Sequence, residues 1–387
     1  MDSSMLPNEM KAQILPSFNA PYRLTTLPLP SFTADSPHEM LVRVLAASYC
    51  HTDLVLAQGQ MPPFPPSFPH IGCHEFSGVV VSLPEHSSSQ YRIGDRVGVP
   101  GRSFRPCGKC FECSREPDND KNLYVDGGGY SVYCASAGNH GISTPGGFRE
   151  FAIVDSRQVT SLPESISAVQ GASLMCAGLT IYAAIKNCGL ERGQKVGIMG
   201  CGGGLGHLGL QFAAKMGLGV IGVDVADEPL RVSGEIAETL RQKEGLSVRI
   251  VDARISRAED IVQEMGKEDQ RQDRSNMGLD AVIVLPESQR AMDYGISLLR
   301  AHGRCILVSF PANGFHISAR DVVFRDISIR GSLVGSNRML REMVMWAAEH
   351  NVQARIKSYP LKKLNDLVLE YKKGKGGKLV IDMSLDD

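Results

Sequence analysis

The sequence predicts an α/β protein, with a doubly wound parallel sheet joined to a second, β-rich domain. Three observations predict this. At 387 residues the chain exceeds one ordinary domain and suggests two, each able to bury its own core. Its first part carries short β-branched runs bounded by Gly, Pro or Ser, the texture of strands and turns. From about Val169 the texture changes. Strand, glycine-rich turn, helix and strand then follow one another quickly, as in a parallel sheet covered by helices.

Taken in order, Met40–Ala46 (MLVRVLA), Phe76–Val81 (FSGVVV) and Arg96–Val99 (RVGV) read as strands. Gln60–Pro69 and Ser114–Gly129 are rich in turn formers and read as loops, the second polar and exposed. Gln170–Lys186 is apolar with small residues at helical spacing, the pattern of a deeply packed helix. The strand Lys195–Met199, turn Gly200–Gly204, helix Leu205–Met216 and strand Gly219–Asp224 make one βαβ unit. Apolar runs at Asp280–Leu285 and Arg304–Ser309, with a helix at Arg290–Arg300 between them, continue the alternation. The sheet-forming region is expected over residues 171–336, between a β-rich domain at 1–170 and a segment at 337–387 that returns to it.

Charge excludes some partners. With 41 basic and 42 acidic residues and no long run of either sign, nothing favours a nucleic acid or a membrane surface. The start, MDSSMLPNEMKAQILP, lacks the apolar core of a signal peptide. No stretch approaches the ~18 apolar residues of a membrane span. A cytoplasmic location is expected.

The turn after Lys195–Met199 reads Gly200-Cys201-Gly202-Gly203-Gly204-Leu205-Gly206. Residues without Cβ let the backbone approach a pyrophosphate, and the helix that follows offers free N–H groups and a positive dipole end. Leu205 stands where a strict G-x-G-x-x-G would have its last glycine, so the turn is one residue longer. Asp224 ends the second strand, where a carboxylate accepts from ribose hydroxyls and repels a 2′-phosphate. No Lys or Arg follows within six residues. The expected cofactor is NAD.

Ten cysteines suggest metal, and their placement says more than their number. Cys50-His51-Thr52-Asp53 and Gly72-Cys73-His74-Glu75 place Cys50 and His74 24 residues apart, and Cys176 precedes the βαβ unit. Two thiolates and one imidazole would hold zinc at three positions and leave a fourth for substrate, as catalytic sites do. Asp53 could accept the second N–H of His74. Alone, each of these residues is more often a buried Cys or a satisfied His than a ligand, and it is the combination that points to metal. Cys107, Cys110 and Cys113 at x-x spacing fit a structural zinc better than a redox pair, and Cys134 is the nearest fourth ligand. Two zinc ions per chain are expected.

Together CHTD, GCHEFSGVV, CGKCFEC, GGF-R-EFAIVD, CAGLTIYAA, GCGGGLGHLGLQFAAKMG, IRGSLVG and GGKLVID resemble the medium-chain zinc alcohol dehydrogenases, the tetrameric yeast-type branch most of all. The resemblance covers nearly the whole chain. It implies a GroES-like catalytic domain at 1–170 and a Rossmann NAD-binding domain at 171–336. It also implies hydride exchange between NAD(H) and a small-molecule alcohol, aldehyde or ketone, in a homotetramer or homodimer. By position it assigns Cys50, His74 and Cys176 to catalytic zinc, with Glu75 a carboxylate able to approach the metal. Thr52 would take the alcohol proton. His51 and Lys378 would face the cofactor pyrophosphate. Gly200, Gly202, Gly203, Gly204, Leu205 and Asp224 would bind NAD, and Thr180, Val308 and Val334 would line the nicotinamide.

Three departures from the family pattern stand out. The usual place of the fourth structural cysteine holds Lys121, so Ser114–Tyr133 reads as carrying an insertion before Cys134. Val55 stands where many relatives carry a proton-relaying His. Gly101 stands near the Trp of ethanol-specific relatives, which implies a wider pocket, a substrate larger than ethanol and a role in specialised metabolism. The competing readings are a zinc polyol dehydrogenase, a carbonyl or enoyl reductase of the same fold, and a non-catalytic binding protein that kept the fold.

Overall fold

The computed structural model describes residues 6–33, 36–102, 104–114 and 131–385. The expected insertion, with Lys121, lies largely outside them. The chain separates into two compact units. The first comprises Met1–Leu179, Gly335–Lys373 and Lys378–Asp387, and the second Thr180–Val334 with Gly374–Gly377. Residues 171–179, expected with the second domain, therefore belong to the first unit.

The first unit begins with the antiparallel pair β1 (Glu9–Ile14) and β2 (Arg23–Pro28). It continues with β3 (Glu39–Tyr49), α1 (His51–Ala57), β4 (Glu75–Ser82), β5 (Arg96–Pro100), β6 (Phe151–Asp155), β7 (Thr160–Ser161) and α2 (Ala168–Ser173). The helix then widens into a π turn at Leu174–Gly178 before resuming as α3 (Leu179–Cys188). Together these pieces make one helical run, Ala168–Cys188, whose mean hydropathy and length would suit a membrane span. Most of it is buried, as befits a core helix.

The second unit carries β8 (Lys195–Met199), α4 (Gly206–Lys215), β9 (Gly219–Asp224), α5 (Asp227–Glu244), β10 (Val248–Asp252) and α6 (Ala258–Glu268). There follow β11 (Leu279–Val284), α7 (Gln289–Leu298), β12 (Leu299–Leu307), α8 (Ala319–Arg325) and β13 (Ser328–Gly331). Among the described residues its sheet has six strands in the order β10-β9-β8-β11-β12-β13, and every pairing is parallel. Numbered within the sheet, this is 3-2-1-4-5-6, the doubly wound dinucleotide-binding topology. The strands are buried on both faces (Ala281, Val282, Ile283 and Val284 are 0% exposed), so their sequences run apolar without alternating.

The chain then returns to the first unit through α9 (Asn337–Glu349), β14 (Ile356–Tyr359), α10 (Leu364–Tyr371) and β15 (Lys378–Asp382). That unit's larger sheet runs β14-β15-β3-β4-β5-β7, with β6 also pairing β3. Its register places the site. β3 and β4 are antiparallel with Ala47 opposite Phe76, so the end of β3 meets the start of β4. On its other side β3 pairs β15, with Leu379 opposite Tyr49. Cys50, His74 and Lys378 thereby become neighbours from three distant stretches of chain.

Candidate active site

Cys50 directly follows β3, His74 directly precedes β4, and Cys176 sits in the π turn that packs on β4 and β5. One donor atom from each residue lies within 4.8 Å of the others. A π turn carries one extra residue per turn and recurs at functional positions in helices. The Cys176 thiol donating to it holds the Cys50 thiol well below its ordinary range, with His74 assisting against burial. The same hydrogen bond, then burial, pushes Cys176 up. Two soft thiols and an imidazole in one shell form a donor set suited to zinc. Among the described residues no fourth His, Cys, Asp or Glu completes the group.

The backing of this site is buried. Asp53, 1% exposed, accepts from the Cys50 N–H and the Cys73 N–H, each at 2.9 Å. It thus ties the two ligand-bearing loops together. The expected hydrogen bond to His74 is not made, because the nearest approach, His74 Nδ1 to Asp53 Oδ2, is 3.7 Å. Both carboxylate oxygens already serve main-chain amides. Thr52 is half-buried and His51 exposed on the first turn of α1.

Glu75 and Lys378, read separately from sequence, form a buried ion pair. The Lys378 ammonium also donates to Tyr49 O at 3.0 Å, and Glu75 accepts from the Ala177 N–H at 3.3 Å. Burial raises the Glu75 carboxyl to about 7 against the pull of Lys378. Burial works against the Lys378 charge, but Glu75 and then Cys50 carry its pKa upward overall. Lys378 is 4% exposed, and its charge serves Glu75 in this conformation.

Gly101 stands against His74. A Cβ there would come within 2.7 Å of His74 O, closer than real side chains come. The glycine is required by this approach to a ligand-bearing backbone, a constraint the sequence does not display.

Cys107, Cys110, Cys113 and Cys134 bring one sulfur each to within 4.8 Å of the others. Cys134 is thus the fourth member, as its position in the sequence suggested. The Cys107 thiol, accepting from the main-chain N–H groups of Lys109 and Cys110, falls to about 6, whereas burial raises Cys113 to about 12. Four thiols with no vacant position match a closed structural zinc site.

In the second unit Gly200 has φ +78, and a Cβ on Gly202 would stand 2.5 Å from Pro229 Cα. These two glycines are fixed by the turn's own packing. A Cβ on Gly203 would meet only Gly200 O, at 3.4 Å, so this stretch is the one open to a ligand. Gly204 and Leu205 follow it into α4. Asp224 accepts from the N–H groups of Gly202 (3.0 Å) and Val225 (2.8 Å). Its carboxylate borders a cavity of about 130 Å³ that Met199, Ala253, Pro286, Arg290 and Tyr294 also line. Sequence reading missed those five residues, since no motif links them. Thr180 is buried, and Val308 donates its N–H to Val284 O at 3.2 Å. Val334 has φ +46, a conformation β-branched residues rarely adopt. Amides at a helix start, an acid at the adjacent strand end and a slot beside it fit NAD.

Residues 36–164 match the alcohol dehydrogenase GroES-like domain family, and residues 204–349 match the zinc-binding dehydrogenase family. The chain is 32% identical over 377 residues to an alcohol dehydrogenase of Moraxella sp. (strain TAE123), covering 97% of this chain and 100% of that one. It is 32% identical over 373 residues to an alcohol dehydrogenase of Geobacillus stearothermophilus, covering 96% and 99%. The crystal structure of the alcohol dehydrogenase from the archaeon Aeropyrum pernix superposes with a TM-score of 0.78 at 28% identity, covering 96% and 99%.

Proposed function

Because the chain belongs to the zinc-dependent medium-chain alcohol dehydrogenases, NAD-dependent oxidoreductases, we propose that it oxidises an alcohol larger than ethanol, or reduces the matching carbonyl, at Cys50, His74 and Cys176. One observation carries the choice of site. Of the two metal-type clusters, only this one has three donors and so a position for substrate. Zinc held there supplies Lewis acidity toward the substrate oxygen.

The chain's own residues do the rest. Cys50 and Cys176 would offset the metal's charge, and His74 would be the third donor, leaving the fourth position open. Thr52, two residues after Cys50, accepts the hydroxyl proton. Val55 cannot pass it on, so another base or water must complete the transfer. The Lys378–Glu75 pair keeps a carboxylate beside the metal shell whose charge is already compensated. In the second unit the amides at the start of α4 hold the pyrophosphate, and Asp224 takes the ribose hydroxyls and excludes a 2′-phosphate. Thr180, Val308 and Val334 border the nicotinamide, and the backbone strain at Val334 accords with a functional position.

The larger substrate rests on the resemblance alone, in which position 101 stands near the Trp of ethanol-specific relatives; the glycine itself is accounted for by its packing on His74. Homo-oligomeric assembly, a cytoplasmic location and a role in specialised metabolism belong to the same reading and rest on resemblance and composition. The test is zinc per chain, followed by NADH formation across alcohols of increasing bulk. Two zinc ions and turnover rising from ethanol to branched or aromatic alcohols are expected. Ethanol as the best substrate would overturn the pocket reading, and folded protein without zinc would overturn the site.

A further inference from the structure

Cys73, directly before the metal ligand His74, has φ +77, in the left-handed region that residues with a Cβ seldom enter. It is wholly buried and fixed at every polar atom. Its N–H donates to Asp53 Oδ1, its carbonyl accepts from the Gly147 N–H at 2.9 Å, and its thiol donates to Glu75 O at 3.2 Å. Two glycines close on its main chain. A Cβ on Gly141 would stand 2.5 Å from Cys73 O and 2.7 Å from Cys73 N. A Cβ on Gly146 would collide with the carbonyls of both Gly72 and Cys73. Gly141 and Gly146 belong to one loop, residues 139–147.

Three buried side chains grip that loop by its carbonyls. His70 Nε2 lies 2.9 Å from Gly141 O, and His140 Nδ1 lies 3.2 Å from Pro145 O. With carbonyls as acceptors, each ring nitrogen carries the proton. Arg149 donates to the same Pro145 O at 3.2 Å. Arg149 is 6% exposed, and burial lowers its guanidinium to about 10. Its Nε has no partner, and among the described residues it makes no ion pair with a carboxylate. Burying a cation so sparsely paired is costly, and the acceptor it keeps is the loop. The His140 main-chain N–H also donates to Gly101 O at 2.6 Å, which fixes the glycine packed on the other side of His74.

We propose that loop 139–147 is a clamp that positions His74, holding Cys73 in its left-handed conformation through Gly141 and Gly146, with His70, His140 and Arg149 keeping the clamp closed. The inference rests on the reading of Cys50, His74 and Cys176 as a zinc site. Released from the clamp, Cys73 relaxes toward an ordinary φ and swings His74 away from the two thiols. His70, His140 and Arg149 are then positioning residues that touch neither metal nor substrate.

The test uses the full-length protein with cobalt(II) exchanged for zinc, and reads metal affinity and ligand-field bands separately at the two clusters. Arg149→Met, which keeps much of the side-chain bulk, should weaken metal binding at the three-donor site about tenfold or more, as loss of an orienting partner does. Its cobalt bands should shift, while the Cys107 cluster keeps wild-type affinity. Gly141→Ala should do the same more strongly, and Arg149→Met carries the test if that variant does not fold. Adding Cys73→Gly to Arg149→Met should restore most of the lost affinity, because glycine adopts positive φ without penalty. Parallel loss of metal from both clusters, or unchanged affinity and bands in the folded variants, would overturn the clamp alone. Wild-type protein that binds cobalt only at the Cys107 cluster would overturn the zinc reading and the clamp with it.

Discussion

The two cysteine clusters solve opposite problems. The Cys107 cluster draws all four thiols from positions 107, 110, 113 and 134, and among the described residues around them there is no strand or helix. There a bound metal would itself supply the order, as in small zinc-bound loops. The Cys50 cluster draws three donors from the end of β3, the start of β4 and a π turn, 126 residues apart from Cys50 to Cys176. Its order comes from the scaffold of Asp53, the Glu75–Lys378 pair, Gly101 and the loop around Gly141. A site that must keep a position free for substrate cannot rely on the metal to close its own shell. Its protein frame must be prepared in advance.

This contrast predicts different consequences for the same chemical change. Cys176→Ser should reduce turnover on the order of a thousandfold, about 4 kcal/mol of transition-state stabilisation, with thermal stability little altered. Kinetics together with zinc analysis would check it, and near-normal turnover at full metal content would remove Cys176 from the chemistry. Cys134→Ser should do the reverse. Losing one ligand of the closed site should lower stability by roughly 3 kcal/mol, part of what a structural zinc contributes, and should release one zinc. The folded remainder should keep its kcat. A fall in kcat with both zinc ions retained would break the distinction.

The same contrast explains what was legible in the sequence. Cys107, Cys110 and Cys113 announce themselves by spacing, and Cys134 is found by proximity along the chain. The βαβ unit was equally legible, since β8 and β9 coincide with the predicted Lys195–Met199 and Gly219–Asp224. Local pattern dictates both. The scaffold of the three-donor site was not legible, because it is made by register. Glu75 meets Lys378 only because β15 and β4 flank β3, and nothing in either motif shows that. Asp53 was assigned to His74 by its chemistry, but the fold spends its oxygens on two main-chain amides. The π turn was hidden as well, since LMCAG reads as ordinary helix.

The scaffold also gives the three-donor site a pH signature. Burial holds His140 down at about 4, from an ordinary 6.5. Arg149 and Arg105 oppose its charge and Asp155 favours it. A depressed histidine leaves stability intact above pH 6.5. Below that the unfolded chain takes a proton the folded chain refuses, so stability falls as pH drops from 6.5 to the folded value and levels off beneath it. The loss should reach about 3 kcal/mol by pH 4. Denaturant titrations at stepped pH on the wild type and His140→Asn would measure it. The variant should start lower at neutral pH and fall less steeply, whereas parallel pH slopes would mean that His140 titrates freely.

The smallest expected effect tests whether both clusters are independent of the cofactor unit. Asp224 is set by the N–H groups of Gly202 and Val225, so in the proposed NAD site its carboxylate would meet the ribose already oriented. Asp224→Ala removes hydrogen bonds from a charged acceptor, worth about 1.5 kcal/mol, or roughly tenfold in NAD affinity. It also removes the charge that repels a 2′-phosphate, so NADP should gain as NAD loses. Zinc content at both clusters should stay at the wild-type value, because every ligand and every scaffold residue named above lies in the first unit. Cofactor titrations by fluorescence, run beside zinc analysis, separate these quantities. If Asp224→Ala also loosened the metal at Cys50, His74 and Cys176 while sparing the Cys107 cluster, the frame that holds the three donors would have to extend into the nucleotide-binding sheet.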